Sequence, residues 1–382
     1  MTQSSILILG AGIGGLAASI ALAQSGHDVT VIEKHPGLRS STVGVGIIQQ
    51  PNQLRALAAI GCADACIAVG YAAAYSAKHL DADGAVVRAI PGPRVAEFPE
   101  IAMNGITRPK LHRVLTERAL AVGVSIEYDK TITAVRPRRD HVEVDVSDGT
   151  TRTPELLVGA DGVRSIIRAH VYDEPVEPAY SGKSVLRINV PRLPEIDAIL
   201  RQERLGDDGE RIGVGFVPLA DDLGYMYLNI VWDRSVRPDT EELRELMRSY
   251  LAGFGGPAGV VRDDYLDAAD EIVLRPEEYL IAPGPWHRGR IVLLGDAVHA
   301  VTPNTAQGAA LAIEDGVVLA EELAANDDLE SALQAYGDRR YERCKRVVDY
   351  GANARKWEFD PTPDFDPVEE GIRMREAVVA PF

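Results

Sequence analysis

Three glycines at the end of an apolar run are the residues of this chain best placed to hold a reactive group. Gly10, Gly12 and Gly15 follow Ile6-Leu7-Ile8-Leu9 with the spacing G-x-G-x-x-G, and Gly14 lies beside the third of them. Each has a physical task. Gly10 permits a tight turn, Gly12 lets the backbone approach a pyrophosphate, and Gly15 lets a helix pack close to the strand before it. The helix start supplies N–H donors and the positive end of a dipole. A second apolar run, Val29–Ile32, ends in Glu33, a carboxylate suited to ribose hydroxyls. The pattern therefore predicts a dinucleotide site.

Two later segments repeat the logic. Leu156-Leu157-Val158-Gly159-Ala160-Asp161-Gly162 and Ile291-Val292-Leu293-Leu294-Gly295-Asp296 each run from a buried strand into a glycine turn carrying an aspartate. Ligands on open α/β sheets bind at the carboxyl ends of strands, where these turns lie. Asp161 and Asp296 suit sugar or ribityl hydroxyls, and each alone has an ordinary structural use as an Asx-turn or helix cap.

The elements that must position these residues follow from patterning. Residues 4–9 read as strand, 13–25 as helix and 29–33 as strand, a βαβ opening of a parallel sheet. Helices are expected over Asn52–Ile60, with Asn52 as the cap, Thr107–Leu120, Glu241–Ala252, Ala306–Asn326 and Leu329–Val348. Between residues 180 and 280 the texture changes to alternating runs, Ser184–Val190, Arg211–Val217 and Tyr225–Trp232, which predict a largely antiparallel sheet. Residues 73–90 also alternate. The Pro-rich Asp360–Pro367 stretch reads as an extended tail, a lid or a dimer arm. A second glycine pattern, Gly253-Phe254-Gly255-Gly256-Pro257-Ala258, follows a helix rather than a strand and is read as a loop, leaving one nucleotide fingerprint. The expected fold is α/β: a Rossmann-like dinucleotide-binding domain (residues 1–70, 103–178 and 279–355) interleaved with a mostly antiparallel substrate domain (71–102 and 179–278), then a tail (356–382).

Composition bounds the partners. The 382 residues are 46% hydrophobic, and 57 acidic against 40 basic side chains leave a formal charge of −17. That balance disfavours nucleic acid and anionic membrane surfaces. No apolar run reaches the ~20 residues of a membrane span. Ala21-Leu22-Ala23 resembles a signal-peptidase site, but no Lys or Arg precedes the apolar run and the glycine fingerprint occupies it, so a cytoplasmic protein is expected. Cys62, Cys66 and Cys344 make no disulfide framework, and no metal site is expected.

Together the three segments resemble the single-component FAD-dependent aromatic hydroxylases, the family of the p-hydroxybenzoate, salicylate and 6-hydroxynicotinate hydroxylases. The resemblance spans residues 4–350. It implies that Gly10, Gly12, Gly14 and Gly15 hold the FAD pyrophosphate and that Glu33, with Lys34 beside it, meets the adenosine ribose. It further implies that Arg39, Gly46 and Arg108 contact FAD, and that Asp161 and Gly162 serve both FAD and transient NAD(P)H. Asp296 would bind the ribityl or pyrophosphate region, and Pro303, Gly308 and Ala309 would lie by the isoalloxazine ring. The family's usual Gly before Gln-Gly is Ala306 here, and its frequent Asn is Ala310. The absence of a second fingerprint agrees with a family in which NADH or NADPH only visits. The motifs of flavin halogenases and Baeyer–Villiger enzymes are missing.

The implied activity is hydroxylation of a phenolic or heteroaromatic small molecule with O₂, through a flavin C4a-hydroperoxide. Epoxidation or tailoring of a polycyclic compound on the same fold, and a non-catalytic FAD sensor, are the competing readings. A monomer or homodimer would serve. For catalysis the sequence offers Tyr225 and Tyr227, two apart on one strand and so on one face, Arg187 in mid-strand, and His299 after the third turn. Each also has a structural reading, as core tyrosines, a surface ion pair and a buried histidine. The neighbourhood Ile48-Gln49-Gln50 brings no titratable base, so a proton relay would use a tyrosine, a water or the substrate's own ionisation.

Overall fold

The computed structural model describes residues 4–37, 46–206, 211–269 and 271–382. A six-stranded sheet runs in the spatial order His287–Arg288, Ile291–Leu293, Leu156–Gly159, Ser5–Leu9, Asp28–Ile32, Ser125–Glu127. All its pairings are parallel except the first, which is a hairpin. Its central strands are continuous apolar runs because helices and a second sheet cover both faces. Ile8 pairs with Val158 on one side and Val31 on the other. The three glycine turns therefore open side by side along one sheet edge.

Helices Ile13–Gln24 and Gly308–Ala325 lie against each other over this sheet. Gly316 makes the approach possible, since a Cβ there would sit 2.6 Å from the Ala18 nitrogen. A three-stranded antiparallel sheet (Ile132–Pro137, Val142–Val146, Thr151–Arg152) adds Val135, Val142, Val144 and Val146 to the same core.

A seven-stranded sheet runs in the order Ile272–Tyr279, Ala179–Pro191, Leu223–Val231, Arg211–Pro218, Ile199–Leu205, Ala77–Leu80, Val86–Ile90. Only the Ile199–Leu205 and Ala77–Leu80 pair is parallel. One face carries Leu186, Ile188, Val214, Phe216, Met226 and Leu228 and packs against Leu243, Met247 and Leu251 of the Thr240–Leu251 helix. A capping box between Asp239 and Glu242 starts that helix. The opposite face carries Arg187, Tyr225, Tyr227 and Val217.

A small antiparallel sheet, Gly46–Gln49, Met103–Thr107 and Tyr71–Ala73, joins the two large ones. Its Ala73 and Met103 pack with Val217, Leu219 and Tyr225. The seam is backbone on backbone. A Cβ on Gly105 would lie 1.7 Å from the Pro218 carbonyl oxygen, and one on Gly46 would lie 2.6 Å from Leu219 and Tyr225.

Three local expectations need correction. Residues 360–366 carry no helix or strand, but they are a short connection between two helices and not a terminal arm. The long helix runs Leu329–Phe359, and a further helix, Pro367–Val379, packs back on it. Asp366 caps that helix and Pro367 opens it, where a missing N–H costs nothing. Asn52 is not a cap: the helix spans Pro51–Ala59 with Gln50 at its N-cap position, and the Asn52 side chain is buried elsewhere. Residues 256–260 form a short helix rather than a loop. Gly256 there abuts Gly84 and Asp83, so that glycine pattern serves packing. Among the described residues, no helix is long and apolar enough to cross a membrane.

Candidate functional site

The glycine turn has the shape its sequence requires. Gly10 has φ of +107°, and a Cβ there would lie 2.5 Å from the Ala160 carbonyl oxygen. A Cβ on Gly15 would lie 1.9 Å from the Gly10 carbonyl oxygen. Gly12 is different, because a Cβ there would meet nothing within 4 Å. Gly12 is the N-cap of the Ile13–Gln24 helix, and no side chain caps it. The first N–H groups of that helix face open space and can receive an anion. Gly14 serves packing, with Leu294 and Ala312 beside it.

Ala11, between the first two glycines, is clamped from both sides. Its N–H donates to Glu33 Oε2 at 2.9 Å, and its carbonyl receives the His112 Nε2–H at 2.6 Å. Burial pushes the His112 imidazole below its ordinary pKa, so the ring is neutral and carries its proton on the nitrogen facing the carbonyl. Glu33 also accepts from the His35 N–H at 3.0 Å. Each of its oxygens keeps a lone pair for a ribose hydroxyl.

At the second turn, Asp161 has two faces. Its Oδ2 accepts from the Ile166 N–H at 2.7 Å and the Ile167 N–H at 3.3 Å, the structural use of such an acid. Its Oδ1 is buried and has no partner among the described residues. A buried acceptor left alone is costly unless a ligand donor meets it. Gly162, at φ of +84°, opens on free space beside it. Arg168 binds this turn to the third, donating to the Val163 and Ala297 carbonyls.

At the third turn, Gly295 has φ of +61° and Asp296 presents a solvent-exposed carboxylate with no hydrogen bond to the protein among the described residues. The protein mass around it raises its pKa, and His299 and Arg108 oppose that rise. Arg108 starts the Arg108–Ala121 helix, is exposed and likewise has no protein hydrogen bond among the described residues. Lys34 is exposed. Arg39 lies outside the described residues. Pro303–Thr305 forms a single turn ending in Ala306, which adopts the left-handed conformation at φ of +53°. Alanine is strained there, by roughly 1–2 kcal/mol, where a glycine would not be. Gly308 and Ala309 open the next helix half-buried.

His299 is not in contact with a ligand-accessible surface, contrary to its candidacy as a catalytic group. It is fully buried, with Nε2 2.5 Å from Asp315 Oδ2. Burial pushes the imidazole down, but Asp315 and Cys344 outweigh this and hold it well above its ordinary pKa. Asp315 also accepts from the Gly295 N–H at 2.8 Å and from Arg340 Nε at 2.8 Å. Burial raises the Asp315 pKa, while His299 and Arg340 pull it down to about 2. His299 thus belongs to a buried ionic brace under the third turn. His299, Asp315 and Cys344 are close enough to suggest a metal site, but both Asp315 oxygens are already committed. Cys62 and Cys66 are buried thiols pushed up to about 11 and about 12 by burial, inert rather than reactive.

On the facing sheet, Arg187, Tyr227 and Gly215 stand in one cross-strand row. The Tyr227 ring lies down over Gly215, where a Cβ would meet it at 2.0 Å. Tyr225 packs beside it, with ring centroids 5.9 Å apart. Arg187 is half-buried and has no ion pair or hydrogen bond among the described residues. Gly46 meets the Tyr225 ring directly. Two cavities, of about 310 and 510 Å³, lie respectively between the last two helices and at the opposite end of the parallel strands, away from these turns.

The residues present fit a flavin dinucleotide. The open Gly12, the orphaned Asp161 oxygen and the unpaired Asp296 carboxylate line one sheet edge, and they ask respectively for an anion and for hydroxyl or N–H donors. His112, Arg168, Asn52 and Arg340 support this edge and were not legible as such, and of Gln307 only the backbone was placed there and not the buried side chain. A buried His or Arg in a helical pattern has no local signature.

Comparison with known proteins agrees. The family described as "FAD binding domain" matches residues 3–350. The chain is 33% identical over 349 residues to the putative FAD-dependent monooxygenase YetM of Bacillus subtilis, covering 90% of each. It is 33% identical to 6-hydroxynicotinate 3-monooxygenase of Pseudomonas fluorescens, covering 91% of this chain and 90% of the other. Its fold superposes on Klebsiella pneumoniae HpxO, solved with FAD and uric acid, with a TM-score of 0.82 at 22% identity, covering 98% of this chain and 97% of that one. The chain belongs to the FAD-binding class A flavoprotein monooxygenases, and it is an FAD-dependent monooxygenase of a family that uses NAD(P)H.

Proposed function

We propose that this monooxygenase hydroxylates a phenolic or heteroaromatic small molecule bound as an anion, with Arg187 receiving the charge. The single observation that carries this is the Arg187 guanidinium, half-buried, in the same cross-strand row as Tyr227 and without an ion pair or hydrogen bond among the described residues. A partly desolvated guanidinium without a carboxylate is costly on its own and fits a phenolate, enolate or carboxylate of a ligand. The names of the relatives agree with the ring class: 6-hydroxynicotinate and uric acid are both heteroaromatic and acidic.

In this reading Gly10, Gly12, Gly14 and Gly15 hold the FAD pyrophosphate and Glu33 its adenosine ribose. Asp161 and Asp296 bind ribityl hydroxyls or phosphate-linked groups. Pro303, Gly308 and Ala309 border the isoalloxazine ring. Bound FAD supplies the redox chemistry, passing electrons from NAD(P)H to O₂ so that one oxygen atom enters the ring and the other leaves as water. The chain supplies orientation and charge. Arg187 stabilises the ionised substrate oxygen and so makes the ring electron-rich. Tyr225 remains a neutral phenol, because burial pushes its pKa far up. It can donate a hydrogen bond to the substrate oxygen but does not act as a base near neutral pH. The apolar wall of Val217, Met103 and Ala73 excludes water.

NAD(P)H oxidation should be stimulated by acidic rings such as 6-hydroxynicotinate or urate, and much less by neutral phenol. Arg187→Gln should raise KM for an accepted anionic substrate by ~10–100-fold, since a hydrogen bond to a charged group is worth roughly 1.5–3 kcal/mol. An unchanged KM for the anion would overturn the assignment. Tyr225→Phe should lower turnover by about fivefold, the worth of ~1 kcal/mol, without moving the pH profile below 9. Unchanged turnover and affinity in both Tyr225→Phe and Tyr227→Phe would remove the tyrosines from the substrate wall.

A further inference from the structure

The C-terminal helix Pro367–Val379 lies beyond the residues matched by the family description, yet it is wired to the turn that opens the Gly308–Ala325 helix. The wire begins at Arg343, which is nearly buried in the long helix. Its Nη1 donates to the Ala377 and Ala380 carbonyls at 2.6 and 3.1 Å, and its Nη2 donates to the Val378 carbonyl at 2.6 Å. These are the carbonyls a helix leaves without partners at its end, and a cation there also meets the negative end of the dipole.

The same guanidinium grips Glu314 through Nε and Nη2, at 2.8 and 2.9 Å. Glu314 is fully buried. Its Oε1 accepts from Asn52 Nδ2 at 2.8 Å. That amide also donates to Gln307 Oε1 at 2.9 Å, and Gln307 Nε2 returns a bond to Asn52 Oδ1 at 3.3 Å. Every link from Asn52 to Glu314 is buried. Removing Arg343 leaves Arg340 as the only cation on Glu314 among the described residues. A buried carboxylate that loses a partner is left undercompensated, and Asn52 is one of the donors still held to it.

We propose that Arg343 and Glu314 are positioning residues for the flavin site, carrying the docking of the C-terminal helix to Gln307 and so fixing the Ala306–Gly308 turn. This rests on the reading that residues 303–309 border the isoalloxazine ring. The helix is then part of the cofactor site although it touches none of it.

The test compares five proteins by FAD titration, visible flavin spectrum and thermal melting: the parent, a chain ending at Asp366, Arg343→Gln, the two combined, and Gln307→Ala. The truncation and Arg343→Gln should each weaken FAD binding about tenfold and shift the flavin absorption band. Combining them should add nothing further, since both cut one wire. A purely structural helix would lower the melting temperature and leave the spectrum and FAD affinity at parental values, which overturns the proposal. If the truncated chain does not fold, Arg343→Gln in the full-length chain decides alone. Gln307→Ala separates the two ways to fail. A parental spectrum in that variant refutes the placement of the turn beside the ring, and the proposal with it. A shifted spectrum there with a parental one in Arg343→Gln refutes the wire only.

Discussion

Gly12→Val should yield a folded, soluble and colourless protein. The space beyond Gly12 is open, so the new side chain meets no protein atom at its Cβ, and the backbone there lies at φ of −71°, which valine accepts. The fold has no reason to object. What the valine occupies is the approach to the helix start, the pyrophosphate site of the proposed function. Loss of two charge-assisted hydrogen bonds, at roughly 1.5–3 kcal/mol each, predicts at least a ~100-fold loss of FAD affinity. Gly15→Ala is the contrasting case. Its Cβ would fall 1.9 Å from the Gly10 carbonyl oxygen, so strand and helix must separate. That variant should lose stability together with flavin. FAD titration and urea unfolding, run on both, distinguish a cofactor defect from a folding defect. Parental FAD affinity in Gly12→Val would show that the pyrophosphate is held elsewhere.

The second large effect lies in the brace. Arg340 is fully buried, with Nε 2.8 Å from Asp315 and Nη1 2.8 Å from Glu314. Arg340→Met keeps much of the volume but removes one cation from each of two buried carboxylates, leaving Asp315 to His299 and Glu314 to Arg343, and breaking a buried pair costs up to about 3–5 kcal/mol. The urea midpoint should fall accordingly. The same brace gives a pH dependence of defined sign. Asp315 has its folded pKa depressed, to about 2, so its contribution is complete above its unfolded value near ~3.9 and is lost as pH falls toward 2. His299 has its folded pKa raised, so its contribution is complete below ~6.5 and is lost as pH rises through the folded value. The brace is therefore strongest between about pH 4 and 6.5. Unfolding midpoints should be higher at pH 5.5 than at pH 9, and His299→Asn should flatten that alkaline decline. A decline of equal size in His299→Asn would assign it to other groups.

Local chemistry decided what could be read from residues alone. The three turns were legible because a glycine at a strand end, repeated at Gly10, Gly12 and Gly15 or followed by an acid at Asp161 and Asp296, is a local pattern with a geometric cause. The face shared by Tyr225 and Tyr227 was legible from alternation along their strand, and the register that brings Arg187 onto it was not. Strand Ile199–Leu205 escaped notice because Arg201, Glu203 and Arg204 mask its apolar face. Strand Ile272–Tyr279 contains Pro276 and two glutamates, a composition tolerated because it forms the sheet's outer edge. The last helix did announce itself, in Asp366-Pro367 followed by Glu369-Glu370, but the prolines before it suggested an extended chain. His299 could not be judged from sequence at all. Its role depends on Asp315, sixteen residues away in the Gly308–Ala325 helix, and on whether the site between them is dry.

The glycine seam between the sheets has a mechanical consequence. Side chains can slide and repack under shear, but a Gly105 backbone lodged against the Pro218 carbonyl has nothing to rearrange. The small sheet and the seven-stranded sheet therefore travel as one rigid casting. In the proposed function, engineering a wider substrate range then means changing the Tyr227 face while leaving the joint alone.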